Sequence, residues 1–183
     1  CDIIGTQEAT ENMYKDIKKN SDNYNIIGTP RSRKFFVERN DILVKNENKI
    51  IESKTFWLSD TPDTVGSSKW FSVFPRICTT AVIELSNKVK IRVCNSHLDC
   101  FTSKAREYEL KRLMELIEEE QIKEDLPIII MGDFNSGPDS KLIKNLSSGV
   151  YGSKKVSAVQ EYDKRLYMNS TMSMFKGKEK GLH

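Results

Sequence analysis

The sequence predicts an α/β domain, and three features of the chain predict it. Short apolar runs typical of strands alternate with stretches that have helical spacing. Three of these runs end in polar side chains that could form a site. The 183 residues are enough for a single domain with a sizeable core, and 38% apolar with 30% charged residues is typical of a globular protein. We therefore expect one domain over residues 1–183.

The most informative stretch is residues 127–135, which read PIIIMGDFN. Its apolar, mostly β-branched residues predict a strand buried on both faces. Asp133 and Asn135 follow two residues apart, so an extended backbone would point both side chains the same way. In open α/β folds ligands bind at this edge of the sheet. Alternatively, glycine, aspartate and asparagine form an ordinary turn here, and this stretch alone favours neither interpretation.

Periodicity and turn residues predict the other elements. The predicted strands are residues 1–8, 24–27, 40–44, 49–55, 76–85, 88–95 and 128–130, and the predicted helices are 9–19, 103–121 and 141–146.

Within this scheme, residues 40–44 and 49–55 are expected to pair as antiparallel strands, as are 76–85 and 88–95. Ser103 is the expected N-cap of the second helix. The glutamates at 118–120 are expected to face solvent, since three successive helical side chains point in three directions. The aromatic loop at 56–75 is long enough to be functional, although its rings could also pin it to a core. No element is predicted for residues 149–164 or 170–183.

Composition excludes several classes of protein. A net charge of +3 and a pI near 8.6 are too weak to indicate nucleic acid as a partner. No run of eighteen apolar residues predicts a membrane span. Four cysteines without a C-x-x-C pair, and only two histidines, argue against zinc. Cys78 and Cys94 lie in apolar stretches and are expected to be buried thiols.

These buried thiols weakly favour a reducing, cytoplasmic compartment. The chain begins with cysteine inside a strand-like pattern, so we expect a fragment whose signal peptide, if there is one, lies outside it.

A basic run formed by Arg31, Arg33, Lys34 and Arg39 has two interpretations. It could face a substrate rich in phosphate, or it could lie in water as a solvated loop. The near balance of charge slightly favours the solvated loop.

Three apolar runs end in polar residues that could form one site. The first run leads to Glu8, the second to His97, and the third to Asp133 and Asn135. If the three edges meet, carboxylate and amide oxygens suit Mg²⁺ or Mn²⁺ better than zinc. A carboxylate could deprotonate water and an imidazole could protonate a leaving oxygen. Individually, Glu8 could be a surface residue and His97 a structural one. Asp99 is expected to be a carboxylate at a helix N-terminus.

Several of these segments resemble a known family. Residues 4–8 (IGTQE), 95–99 (NSHLD) and 132–135 (GDFN) are similar, in order and spacing, to signatures of the endonuclease/exonuclease/phosphatase superfamily. Residues 55–62, Trp70 and Pro75-Arg76 are similar to a bacterial branch of it. The resemblance implies a DNase I-like four-layer α/β sandwich, in which two mixed sheets pack face to face between outer helices. It also implies cleavage of phosphate esters with a divalent metal, usually Mg²⁺.

The resemblance also implies roles for particular residues. Glu8 matches the metal-binding glutamate, and Asp133 the aspartate that activates water or binds metal. Asn135 matches the amide that holds the phosphate, and His97 the histidine that acts on the phosphate or on the leaving oxygen. Glu38 matches the glutamate that orients this histidine, and its role depends on the resemblance alone. Arg76 matches a substrate-facing arginine.

The chain departs from the family pattern at both ends. The asparagine ligand of a preceding strand, and the later metal-facing aspartate and Asp-His pair, have no counterpart here, and His183 is not identified with the catalytic histidine. We therefore expect an incomplete domain that lacks its first and its C-terminal strands.

Two hypotheses about function follow. One is a metal-dependent phosphoesterase, whose substrate is a small phosphodiester, a sugar or lipid phosphate, or nucleic acid. The other is a catalytically inactive binding or scaffold protein with the same fold. The sequence predicts no oligomeric state.

Overall fold

The computed structural model describes residues 1–34 and 37–147. Nine strands and three helices lie in this part of the chain. In order they are β1 (Ile3–Gly5), β2 (Ala9–Thr10), α1 (Glu11–Asn20), β3 (Tyr24–Ile27), β4 (Glu38–Arg39), β5 (Ile42–Lys45), β6 (Lys49–Trp57), β7 (Ile77–Glu84), β8 (Lys90–His97), α2 (Ser103–Lys123), β9 (Ile128–Asp133) and α3 (Lys141–Ser147). The predictions for residues 149–164 and 170–183 lie outside the described residues.

The strands form two main sheets and a small ribbon. One sheet has the order β1-β5-β3 and is antiparallel throughout. The larger sheet has the order β6-β7-β8-β9, in which β9 runs parallel to β8 and the other neighbours are antiparallel. The ribbon pairs β2 with β4. The predicted hairpin around Ser86 and Asn87 is confirmed as β7 and β8.

The two main sheets pack face to face. Ile42 and Val44 of the smaller sheet meet Ala81, Ile83 and Val93 of the larger one, and all five are almost inaccessible to solvent. Because side chains alternate along a strand, the intervening positions of β7 and β8 face the other way. The structure thus confirms an α/β fold with two sheets face to face, of which the larger is mixed within the described residues.

The opposite face of the larger sheet packs against helix α2. Leu113, Met114 and Ile117 of the helix are buried against a cluster that contains Cys78 and Cys94. Both cysteines are therefore buried free thiols, as predicted. No helix among the described residues is long and apolar enough to cross a membrane.

The predicted pairing of residues 40–44 with 49–55 is wrong. Strand β5 lies between β1 and β3 in the smaller sheet, whereas β6 pairs with β7 in the larger one. A polar turn does connect them, with the Asn48 N–H donating to the Lys45 carbonyl. The Asn48 side chain, however, accepts a hydrogen bond from the Ser86 N–H, so the turn leads the chain into the next sheet. Turn residues predict a change of direction and do not determine which strand becomes the partner.

Strand β9 is less buried than its sequence predicts. Ile129 is 47% exposed, and Ile128 and Ile130 are only partly buried. Within the described residues β9 is an edge strand that pairs with β8 alone. An apolar run indicates that a strand is hydrophobic, but it does not indicate how many neighbouring strands and helices cover that strand.

Helix α2 differs from its prediction in two details. Its N-cap is Thr102, whose hydroxyl accepts a hydrogen bond from the Ala105 N–H at 3.1 Å, and not Ser103. Glu118 is 8% exposed, so the expectation that the three glutamates face solvent is wrong for that residue. The helix packs so closely on the sheet that its buried face is wider than the leucine spacing predicts.

Gly132 allows β9 to approach β8 closely, and its replacement is expected to be costly. It has a φ of +140°, and an added Cβ would lie 1.8 Å from the Ser96 carbonyl oxygen. We expect Gly132→Ala to lower the free energy of unfolding by on the order of 3 kcal/mol, measured by urea denaturation. Gly137→Ala is the matched control, because an added Cβ there meets nothing within 4 Å. Equal stability of the two variants would contradict this account of the strand pair.

Candidate active site

The predicted site residues on β8 and β9 meet at one edge of the larger sheet. His97 and Asp133 are direct partners in the parallel register of the two strands. They are the last residues of their strands, so both lie at the carboxyl end of the pair. The side chain of Asn95, two residues before His97 on the same strand, contacts the backbone of residues near β1 and β5. This edge therefore opens at the junction of the two sheets.

Asn135 joins the ends of β8 and β9 through a turn. It has a left-handed φ of +48°, and its N–H donates to Asp133 Oδ1 at 2.8 Å. Its Nδ2 lies 2.9 Å from the Leu98 carbonyl oxygen and 3.0 Å from His97 Nε2. The expected extended backbone after β9 is therefore wrong. The turn interpretation is confirmed, and the turn brings the carboxamide to the imidazole, so the site interpretation stays a prediction that the geometry allows.

These contacts favour one tautomer of the imidazole. A carbonyl oxygen only accepts hydrogen bonds, so the atom of Asn135 that faces the Leu98 carbonyl is the amide nitrogen. Its second N–H then donates to His97 Nε2, which leaves the ring proton on Nδ1. Burial lowers the pKa of His97 below its ordinary value, and the positive charge of Arg76 lowers it further, against the opposite effect of Asp133 and Glu8. The resting imidazole is thus neutral.

Glu8 reaches the imidazole from the smaller sheet. Its Oε1 lies 3.9 Å from His97 Nε2, and its side chain is 69% exposed. The residue has a φ of +54°, which turns the chain between β1 and β2. The structure thus brings together Glu8, His97, Asp133 and Asn135, all of which the sequence predicts as site residues.

Asn95 positions the Glu8 loop and had no predicted role. It is fully buried, and its amide donates to the Thr6 carbonyl at 2.9 Å and to the Asp41 carbonyl at 2.8 Å. The Gln7 side chain donates to Asn95 Oδ1 at 2.7 Å. Its position in the alternation of β8, on the same face as His97, is the signal that could have identified it.

Two buried arginines lie behind the imidazole. Arg76 is 4% exposed, with Nη2 3.8 Å from Asp99 Oδ2. Arg31 is also 4% exposed and pairs with Glu38, its Nη1 lying 2.9 Å from Oε2. Burial lowers the pKa of Arg31, while Glu38 acts in the opposite direction. Arg76, which is predicted to face the substrate, is therefore accompanied by a second buried guanidinium, that of Arg31.

The preference for a solvated basic run is wrong for two of its four members. Arg31 is buried as described, and Arg39 is 8% exposed with its Nε 2.8 Å from Asp41 Oδ2. The Arg39 guanidinium also stacks 3.9 Å above the Tyr14 ring. Arg33 and Lys34 remain exposed. A count of charges could not distinguish them, because it does not show which arginines meet the nearby acids Glu38 and Asp41.

Glu38 lies beside Arg31 and is not found in contact with His97 within the described residues. Its predicted role of orienting the histidine is therefore still a prediction. The sequence resemblance implies that Glu38 belongs to the site, whereas only the structure identifies Arg31 as its ionic partner.

Asp99 occupies the predicted position at the start of α2. Its Oδ1 accepts hydrogen bonds from the N–H groups of Phe101 and Thr102, at 2.8 and 2.9 Å. Its own N–H donates to Oε2 of the buried Glu109 at 2.7 Å, and Glu109 Oε1 accepts from the Ser72 hydroxyl at 3.0 Å. Burial raises the pKa of Glu109 to about 7, despite these two hydrogen bonds. The loop after His97 thus rests on a carboxyl group that titrates near neutrality.

The donor set at the mouth of the site suits a hard divalent cation. Glu8 and Asp133 offer carboxylate oxygens, and Mg²⁺ is commonly bound by one or two carboxylates together with water and substrate phosphate. Among residues 1–34 and 37–147, no group of three or more His, Cys, Asp or Glu side chains is arranged as a metal site. The residues present therefore fit such an ion through their oxygen chemistry, as a partial set of ligands.

Comparison with known proteins gives one family. The profile of the endonuclease/exonuclease/phosphatase family matches residues 1–159. No protein with a curated function shows significant sequence similarity to the chain.

Three solved structures illustrate the likeness. A family protein from Bacteroides thetaiotaomicron is 31% identical with a TM-score of 0.75, over 80% of this chain and 54% of its own. The mannosyl-6-phosphatase of the same organism is 32% identical with a TM-score of 0.75, over 81% and 57%. The human nocturnin catalytic domain with bound sulfate is 15% identical with a TM-score of 0.63, over 80% and 56%, and shows the fold alone. The fold is thus DNase I-like, and the chain spans little more than half the length of these relatives.

Loss of the Arg76 charge should raise the pKa of His97. We expect Arg76→Gln to shift the titration of the His97 Cε1–H resonance to higher pH, and Arg76→Lys to shift it less, because lysine keeps the charge. The measurement is a proton NMR titration, which is simple here because the chain has two histidines. An unchanged His97 titration in the folded Arg76→Gln variant would contradict the electrostatic account.

Glu109 should make stability depend on pH. Its folded-state pKa of about 7 exceeds its ordinary value of 4.5, so the folded protein binds more protons than the unfolded chain between these values. The free energy of unfolding therefore falls as pH rises through this window, by about 3 kcal/mol at most. We expect Glu109→Gln to remove this slope in urea denaturation between pH 4.5 and 7.5. The exposed Glu107→Gln is the control and should keep the slope, and a slope that survives in Glu109→Gln would assign it to other groups.

Proposed function

We propose that this chain, which belongs to the endonuclease/exonuclease/phosphatase family, carries part of a site that hydrolyses phosphate esters with a divalent metal ion. Members of this family are usually hydrolases of phosphate esters. The observation that supports the proposal most is the convergence of Glu8, His97, Asp133 and Asn135 at one edge of the sheet, in front of two buried arginines.

Glu8 and Asp133 would hold the metal, which we propose to be Mg²⁺, with Mn²⁺ as the alternative. Both are hard cations that prefer oxygen ligands, and the Glu8 carboxylate is exposed beside His97. When bound, such an ion polarises the phosphoryl oxygens and makes a coordinated water more acidic.

The chain's own residues supply the remaining chemistry. Asp133 has one oxygen bound to the Asn135 N–H, and its carboxylate accepts the proton of the attacking water. Asn135 and Arg76 bind the phosphate oxygens, and Arg76 stabilises the negative charge that spreads over them in the transition state. Asp133 thus acts as base on one side of the phosphorus, and the amide and guanidinium hold the group in place.

His97 protonates the leaving oxygen. The resting imidazole is neutral, because burial and the arginine charges lower its pKa. A bound phosphate brings negative charge that opposes the arginines, and so it favours the imidazolium in the complex. The imidazolium of His97 is therefore formed when substrate is bound. Its Nε2 then donates a hydrogen bond and no longer accepts one from Asn135.

Glu38 supports this arrangement from behind. The family resemblance implies that it orients His97, and in the structure it pairs with Arg31. Because Arg31 is one of the charges that lower the pKa of His97, Glu38 influences the imidazole through Arg31 as well as through any direct contact made in the complex.

A small phosphate ester is the preferred substrate class. The 32% identical neighbour is a mannosyl-6-phosphatase, which makes a sugar phosphate the first compound to test. The net charge of +3 gives little electrostatic attraction for a nucleic acid. The alternative of an inactive binding or scaffold protein draws support from the absence of a group of three metal-binding side chains within the described residues.

Substitution at the site tests both alternatives. In the full-length protein with Mg²⁺, we expect Asp133→Ala and His97→Ala each to lower kcat by about 10²-fold or more. Turnover is measured on mannose 6-phosphate, a phosphodiester, a phospholipid headgroup, an inositol phosphate, RNA and duplex DNA. Glu107→Ala, at an exposed position of helix α2, serves as the control substitution and should leave kcat unchanged. Unaltered turnover in either site variant would remove that residue from the mechanism, and absence of any turnover would favour the binding protein.

A further inference from the structure

A pocket of about 410 Å³ lies between the segment that follows Arg31 and the loop that precedes Arg76. Its apolar lining comes from Val65, Val73, Phe74 and Pro75, and its polar lining from Ser32, Arg33 and Lys34. Pockets that bind small molecules commonly have volumes of about 300–1,000 Å³ and combine apolar walls with a few polar groups. Val73 is 55% exposed and Val65 is 39% exposed, so apolar surface is accessible to a ligand here.

The cations of this pocket differ from the other arginines of their segment. The guanidinium groups of Arg31 and Arg39 are buried and matched with Glu38 and Asp41. Arg33 and Lys34 are exposed, and within the described residues neither forms an ion pair with a carboxylate. The pocket therefore presents uncompensated positive charge next to an apolar surface.

Two direct links connect the pocket to the site. Pro75 precedes Arg76 in the chain, so the pocket wall continues into the proposed phosphate-binding residue. The Arg31 guanidinium lies 4.9 Å above the Phe74 ring, and the same charge acts on both Glu8 and His97. Arg31 thus contacts the aromatic wall of the pocket and acts electrostatically on the site residues.

We propose that this pocket receives the alcohol portion of the phosphate ester, and that it selects a small alcohol with an apolar face and a second anionic group. The inference rests on the proposed function of the neighbouring site. The apolar face packs on Val73 and Phe74, and the second anion pairs with Arg33 and Lys34. The pocket therefore contributes to the choice of substrate, while the bond cleaved and the residues that cleave it are unchanged.

Binding of two non-hydrolysable probes tests the proposal without turnover. The probes are benzylphosphonate and 4-(phosphonomethyl)benzoate, which differ only in the carboxylate, and their dissociation constants are measured by calorimetry with Mg²⁺ present. We expect the wild-type protein to prefer the carboxylated probe roughly tenfold, and the Arg33→Glu/Lys34→Glu variant to lose this preference. Lys18→Glu/Lys19→Glu on helix α1 makes the same change of charge on exposed residues and should keep the preference.

A second variant tests the apolar surface. Val73→Asp places a carboxylate on an exposed position of the pocket wall, so it should weaken both probes and the carboxylated one more. Failure of either probe to bind the wild type, equal affinities in the wild type, or a preference that survives Arg33→Glu/Lys34→Glu would each overturn the proposal.

Turnover separates this test from that of the proposed function. If phosphate esters are not hydrolysed but the carboxylated probe is still preferred through Arg33 and Lys34, the pocket stands as a binding site and the proposed catalysis fails. If phenyl phosphate is hydrolysed with dependence on Asp133 while 4-carboxyphenyl phosphate gains no advantage in kcat/KM, the catalysis stands and the pocket inference fails.

Discussion

The buried carboxamide of Asn95 is the interaction on which the site depends. It lies on the larger sheet and donates to the carbonyls of Thr6 and Asp41, which belong to segments flanking the smaller sheet. The packed aliphatic side chains between the sheets are not directional, so they cannot by themselves set the relative position of the two strand edges. Hydrogen bonds are directional, and a buried amide that loses its partners is costly. Asn95 thus fixes how Glu8, from one sheet, faces His97, from the other.

The electrostatics of the site follow from burial as much as from charge. Arg31 and Arg76 are held in the interior by acids, and they act on an imidazole that is itself shielded from water. In such surroundings a single charge shifts a pKa more than it would at the surface. Glu109 illustrates the same principle for an acid, since its position below the loop that follows His97 brings its pKa to about 7.

Much of this arrangement could be predicted from the sequence. The parts that could not be predicted have one physical reason in common. The apolar runs predicted most of the strands, and the polar residues that end them predicted Glu8, His97, Asp133 and Asn135. These are local properties of the chain. The partner of β6, the exposure of Ile129 and the burial of Arg31 against Trp57 and Phe74 depend on contacts with residues distant in sequence. Asn95 is intermediate, because the alternation along β8 placed it on the face of His97, whereas its partners could not be read from the pattern. The role of Glu38 came from family resemblance, and the structure adds its pairing with Arg31.

The outer side of β9 links the chemistry of the site to the backbone of the sheet. Within residues 1–34 and 37–147, β9 pairs with β8 alone and carries the half-exposed Ile129, and an edge strand can accept the backbone of an extended segment. A segment that adds there hydrogen-bonds to the strand that ends at Asp133, so it acts on the geometry of the carboxylate from one strand away. The backbone of β9 is therefore a second route to the geometry of the Asp133 carboxylate, apart from the side chains that surround it.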